Sequence, residues 1–318
     1  MAKTTSVLCI FDEPAMFSHM LEQRFPDVTF SYATDADGVL SALAGGGPDV
    51  AFSIKHPGFP GELQAPILRA TNLKWLQIGG SGYEQFVPWD KDRVVLTNAA
   101  GVLSRFLAET VTGAILTLNS GFLTYLKQQQ ARTWKTSGFY PVSDKTLLIV
   151  GAGAIGGYVA DNCKALGMTV LGVRDSGRPH PSVDEMHTPD QLDALLPRAD
   201  IVSLHIRAND ETQGLIDARR FGLMKHGVIF VNTARGAVVD EQALIRALTS
   251  GQVASAYLDV FEKEPLPQDS PLWGMDNVLL TPHASDAVMD WPVRLAFFFA
   301  DNLERWLSGE PMVNVLTA

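Results

Sequence analysis

The chain reads as an α/β protein of two domains, and three observations predict it. Its 318 residues exceed the common single-domain length of about 100–150. Short apolar runs alternate with helical or turn-like stretches along its first third. A second series of near-continuous apolar runs, the pattern of a parallel sheet covered on both faces, then opens on a glycine-rich turn.

The front series comprises "VLCIF", "VTFSY", "DVAFSI", "LKWLQI" and "RVVLT", with "AGGGPD" (44–49) and "KHPGFPGE" (55–62) as loops between strands and helices. A mostly apolar stretch from Ser104 to Lys127 has helical spacing, suited to bridging two domains or to a subunit interface. The second series runs "TLLIVGAGAIGG", "MTVLGVRD", "ADIVSLHI", "GVIFVNTARG", "ASAYLDVF" and "NVLLTPHAS". "WPVRLAFFFADNLERWL" (291–307) is an amphipathic helix that leads back to the first domain.

Composition narrows the function classes. Hydrophobic residues make up 46% and charged residues 19%, as in an ordinary globular protein. A net charge of -10 without any basic block argues against nucleic acid or an anionic membrane as partner. Cys9 and Cys163 sit in apolar surroundings and read as small hydrophobes rather than a disulfide. With no leader-like start and no apolar run near 18 residues, a reducing cytoplasm is expected. The sequence offers no metal-ligand cluster, so no metal is expected.

In "VGAGAIGG", Gly151, Gly153 and Gly156 have the GxGxxG spacing after a strand (Leu147 to Val150) and before a helix (Ile155 to Leu166). The first glycine permits the turn, the second admits a pyrophosphate, and the third lets helix and strand pack closely. N–H groups at the helix start, around Ala154 and Ile155, complement the phosphates. A Rossmann-type doubly wound sheet binding a nicotinamide dinucleotide follows. Which dinucleotide depends on "VRDSGR": if Asp175 faces the ribose the site suits NAD, and if Arg174 does, with Ser176 and Arg178 beside it, the site suits the 2′-phosphate of NADP.

Ligands of an open parallel sheet lie outside the carboxyl ends of its strands. Arg235 follows "VIFVNTA", Asp259 and Glu264 follow "ASAYL", and His283 follows "NVLLTP". Reducing a 2-oxo acid needs such a set: a fixed cation for the carboxylate, a proton donor for the carbonyl oxygen, and a carboxylate to steady the protonated donor.

The run from Gly222 to Ser285, with "LLIVGAGAIGG" and "LHIRANDETQGLI", closely resembles the D-isomer-specific 2-hydroxyacid dehydrogenases, of the glyoxylate/hydroxypyruvate reductase type. More loosely, "LKWLQIGGSGYEQF" and "TNAAGVLSRFLAET" look like that family's substrate loop and inter-domain helix. The resemblance implies that Arg235 holds the substrate and polarises its carbonyl, that His283 is the acid/base, and that Glu264 pairs with it. Asp259 is expected at the nicotinamide carboxamide, Thr233 and Ala234 among the cofactor contacts, and backbone N–H groups of Ser81 and Gly82 at the substrate carboxylate. It further implies a flavodoxin-like substrate domain of residues 1–102 plus 288–318, split around a cofactor domain of 103–287, and a homodimer built on the cofactor domains.

Two departures stand out. Arg207 occupies a position where many relatives have proline, and the place of the usual NAD-selecting aspartate falls on Arg174, which favours NADP over NAD. No substrate subgroup is singled out, although Lys55, His56, Tyr83 and Trp291 are candidate pocket-lining residues. The expected activity is hydride transfer between a nicotinamide and a small 2-oxo acid such as glyoxylate, hydroxypyruvate or pyruvate. The alternative is an NAD(H)-regulated binding protein, corepressor-like, on the same scaffold.

Overall fold

A computed structural model describes residues 4–55 and 58–317, which fall into two compact units, 1–103 with 288–318 and 104–287. The first unit holds β1 (Ser6–Ile10), α1 (Ser18–Arg24), β2 (Thr29–Ala33), α2 (Ala36–Ser41), β3 (Val50–Ser53), α3 (Gly61–Gln64), β4 (Trp75–Ile78) and β5 (Val95–Asn98). All neighbours pair in parallel in the order β2-β1-β3-β4-β5, the flavodoxin-like arrangement. Each strand coincides with one of the apolar runs of the front series.

Helix Trp291–Ser308 packs on this sheet through aromatic rings. Phe299 stacks on Phe52 with centroids 4.5 Å apart and lies 5.4 Å from Trp75, which also stacks on Trp306. Trp291 meets Phe11 edge-on and Tyr83 meets Trp89, so both serve packing. Lys55 is exposed, and His56 lies outside the described residues.

The second unit contains α4 (Ser104–Asn119), α5 (Phe122–Gln130), β6 (Thr146–Val150), α6 (Ala154–Ala165), β7 (Thr169–Val173), β8 (Glu185–His187), α7 (Leu192–Leu195), β9 (Ile201–Leu204), α8 (Ala218–Leu223), β10 (Val228–Asn232), α9 (Glu241–Ser250), β11 (Val253–Leu258) and β12 (Val278–Leu280). Its parallel sheet runs β12-β11-β10-β9-β6-β7-β8, so strand order reverses between β6 and β9. That reversal is the topological switch point at which such sheets bind ligands. Apolar clusters fill both faces.

Two details differ from the sequence reading. The Ser104 to Lys127 stretch is not one helix: Gly121, at φ 70°, breaks it into α4 and α5, which meet at 65°. The inner face of α4 is covered by α6 and this unit's own sheet. β8 is a strand that the sequence did not announce, because "EMH" is short and largely polar. Cys9 and Cys163 are buried and unpaired, and burial pushes both thiols up.

Candidate functional site at the strand tips of the larger sheet

Beyond β6 the three glycines do separate jobs. Gly151 has φ 97°, and a Cβ there would lie 2.6 Å from the His205 carbonyl oxygen at the neighbouring β9 tip. Around Gly153 an added Cβ meets nothing within 4 Å, which leaves the backbone open to a ligand. At Gly156 a Cβ would come 2.4 Å from the Gly151 oxygen, so only glycine lets α6 approach β6 this closely. The Gly157 N–H donates to the Gly153 oxygen (2.8 Å), and the N–H groups of Ala154, Ile155 and Gly156 stand ahead of that helical pairing. Helix geometry and open space thus fit a pyrophosphate.

Arg174, Asp175 and Ser176 lie in a turn after β7 rather than on it, with the Gly177 N–H donating to the Arg174 oxygen (3.0 Å). Strand alternation therefore does not choose between Arg174 and Asp175. Side chains gather instead: Arg174 Nη1 donates to the Arg178 oxygen (3.5 Å), and Ser176 Oγ accepts from Arg178 Nε (3.4 Å). Asp175 is exposed outside that group.

The β10 tip carries Thr233, Ala234 and Arg235. Asn232, buried, fixes the turn: its Oδ1 accepts from the Ala234 N–H (3.0 Å) and its Nδ2 donates to the Arg235 oxygen (3.3 Å). Arg235 itself is exposed, with Nη1 donating to the Ala234 oxygen (2.7 Å). Next along, Gly236 presses on the loop after β11; a Cβ there would sit 1.8 Å from the Phe261 oxygen. The same loop holds Glu264, whose Oε1 accepts from the Phe261 N–H (3.0 Å).

Glu264 Oε2 lies 2.7 Å from His283 Nδ1. A carboxylate only accepts, so Nδ1 carries the hydrogen and Nε2 is left for chemistry. His283 adopts a left-handed φ of 50°, uncommon for a residue with a Cβ. Its N–H is held by the Asp259 and Thr281 oxygens (2.8 and 3.0 Å). Asp259, buried, braces the whole loop: Oδ1 accepts from Thr281 Oγ1 (2.5 Å) and the Ala284 N–H (2.8 Å), and Oδ2 from the Ser285 N–H and Oγ (3.2 and 2.6 Å). The carboxylate expected at the nicotinamide is thus engaged in shaping the His283 loop.

Sequence reasoning missed two members of this rim. Asp286 is raised by burial and by the Asp259 charge, while His283 and Arg235 pull it back, which places all of them within electrostatic reach. His205 directly follows β9, its ring between Ser203 Oγ (2.8 Å to Nε2) and Thr233 Oγ1 (3.1 Å to Nδ1), and burial brings it down to about 3. Its place in "LHIRAND", beside the glycine turn, was the available signal. Arg207 is exposed, and its carbonyl oxygen accepts from Thr212 Oγ1 (2.7 Å).

A sheet open at its switch point serves a dinucleotide, and an imidazole braced by a carboxylate on the same rim serves proton transfer, so the class is that of dinucleotide-linked oxidoreductases. The profile of "D-isomer specific 2-hydroxyacid dehydrogenase, NAD binding domain" matches residues 112–285, and the chain belongs to that family. It is 37% identical over 257 residues to glyoxylate/hydroxypyruvate reductase B of Escherichia fergusonii, covering 77% of this chain and 76% of that one. A D-isomer specific 2-hydroxyacid dehydrogenase family protein from Aeromonas salmonicida superposes with TM-score 0.87 at 31% identity, covering 99% of each chain. Another, from Xanthobacter autotrophicus Py2, solved in complex with NADPH and MES, gives 0.82 at 29% over 98% of each.

Proposed function

We propose that the protein reduces a small 2-oxo acid of the glyoxylate or hydroxypyruvate kind to the D-2-hydroxy acid, with NADPH preferred over NADH. The observation that carries this reading is the 2.7 Å His283–Glu264 pair on a loop braced by Asp259, with Arg235 on the same rim. When bound, the reduced nicotinamide supplies the hydride for the carbonyl carbon. His283 gives a proton from Nε2 to the carbonyl oxygen, and Glu264, fixed at Nδ1, steadies the imidazolium. Arg235 offers a rigid, permanently charged fork to the carboxylate and draws electron density from the carbonyl. In the first unit, the backbone N–H groups of Ser81 and Gly82 are assigned to a carboxylate.

The Arg174, Ser176 and Arg178 group supports NADP, since guanidinium groups and a hydroxyl suit a 2′-phosphate. NADPH in the Xanthobacter structure is in keeping with this. The Escherichia fergusonii relative is named a reductase, which favours catalysis over the binding-module alternative. A homodimer through the cofactor unit is supported by the exposed apolar side chains of Phe122, Leu126, Trp134, Phe139 and Tyr140, on or just after α5. Two buried, unpaired cysteines accord with a cytoplasmic setting.

Initial-rate oxidation of NADPH and NADH with glyoxylate, hydroxypyruvate and pyruvate tests the reading. Turnover with a lower KM for NADPH is expected. Tight cofactor binding without turnover of any 2-oxo acid would transfer the argument to the binding module, and sedimentation velocity checks the dimer.

A further inference from the structure

The segment Gly79–Gly82, leaving β4, is held by one kind of group. Its Gly79 N–H donates to the Ser53 oxygen (2.7 Å), but further along only carbonyls are engaged. The Gly80 oxygen accepts from the Ala99 N–H (2.8 Å) and the Ser81 oxygen from Asn98 Nδ2 (2.8 Å). Among the described residues, the N–H groups of Gly80, Ser81 and Gly82 donate to no protein acceptor. A Cβ at Gly80 would meet nothing within 4 Å. Consecutive N–H groups without a protein acceptor are available to an anion.

Asn98, buried at the end of β5, is the residue that draws the Ser81 carbonyl aside, and it is itself locked. Its Oδ1 accepts from the Ala100 N–H (3.2 Å), and its backbone N–H donates to the Asn314 oxygen (3.2 Å). Asn314 Nδ2 in turn donates to the Asn98 and Ala100 oxygens (3.1 and 2.8 Å), from a left-handed φ of 58°. The residues around Asn314 pair with β5 through Thr97↔Val315 and through the Leu316 N–H on the Leu96 oxygen (2.9 Å). Asn302 clamps Val313 from both sides (2.8 and 3.0 Å) and donates to Gln77 on β4 (3.0 Å). A segment more than two hundred residues along the chain thus fixes Asn98, which in turn holds the Ser81 carbonyl.

We infer that Asn98, locked by Asn314, is the positioning residue that keeps the Gly80–Gly82 amides open for a substrate carboxylate, which makes the Val313–Leu316 segment part of the substrate machinery. This rests on the carboxylate role assigned above to Ser81 and Gly82. Because a carboxylate contact is made equally in the ground state and the transition state, its loss raises KM rather than lowering kcat.

Asn98→Ala is expected to raise KM for the 2-oxo acid about tenfold, the scale of one buried hydrogen bond, with kcat and NADPH affinity nearly unchanged. Asn314→Gly, which keeps the left-handed backbone but loses Nδ2, should move KM the same way by less. Hydrogen exchange of the 79–83 segment with and without oxalate gives a readout independent of turnover and of whether Asn98→Ala folds. Oxalate should slow exchange in the wild type and in no variant that lacks the Asn98 or Asn314 amide. Equal protection in Asn314→Gly and Asn98→Asp, no protection in the wild type, or unchanged KM in both Asn98→Ala and Asn314→Gly would overturn the inference. If the wild type reduces no 2-oxo acid while oxalate protection still depends on Asn98, the positioning role stands and the functional reading falls.

Discussion

The two sheets put different chemistry at the same architectural place, the carboxyl ends of parallel strands. At the tips of the seven-stranded sheet stand ionisable side chains, Arg235, Asp259, Glu264 and His283, with the buried ring of His205 held neutral beside them. On the five-stranded sheet, the tips of β4 and β5 are organised by neutral amides, Asn98, Asn302, Asn314 and Gln77, around backbone N–H groups. On the proposed function, the difference means that one sheet would act through side-chain chemistry and the other through backbone geometry. Substitutions should separate accordingly, with pH-dependent and kcat effects from the larger sheet and pH-independent KM effects from the smaller.

His283→Ala is the severest way to break this contrast. Loss of general acid catalysis should cost about 10²–10⁴-fold in kcat with cofactor affinity retained, measured by single-turnover kinetics and NADPH fluorescence titration. A loss under tenfold would remove His283 from the proton path. Arg235→Lys, which keeps charge but not the fork, should lower kcat/KM by about 10–100-fold. Unchanged kcat/KM would refute paired hydrogen bonding to the carboxylate.

Smaller effects sharpen the picture. Arg174→Ala should weaken NADPH about tenfold and leave NADH nearly untouched, at the modest end for a half-exposed charge. Equal losses for both cofactors would deny a 2′-phosphate contact. The mildest test concerns His205, held down to about 3 against about 6.5 in an unfolded chain. Between those values the unfolded chain takes up the proton and the folded one does not, so stability falls as pH drops through that window. A Tm series from about pH 7 to about pH 4 should decline less steeply for His205→Asn than for the wild type; parallel slopes would show that the ring is not the acid-sensitive group.

Much of this was legible in advance because the signals are local. Every strand of the front sheet coincides with an apolar run, and the glycine turn announces itself by spacing. What escaped depends on distance along the chain. The His205–Thr233 contact and the Asn98–Asn314 lock each join segments that only the sheet register brings together. Arg174 and Asp175 stay unsorted for another reason: β7 ends at Val173, so neither lies on the strand whose alternation would separate them. Gly121 reads as tolerable inside an apolar helix, and only its left-handed φ reveals the break.

One contact bears on how this enzyme can be re-engineered. With Gly236 pressed against the Phe261 carbonyl, any bulkier residue at 236 would drive apart the loops that present Arg235 and Glu264. A saturation library aimed at new substrates should therefore leave position 236 constant and diversify Ala237, which is exposed next door, since variants at 236 would fill the screen with misassembled clones.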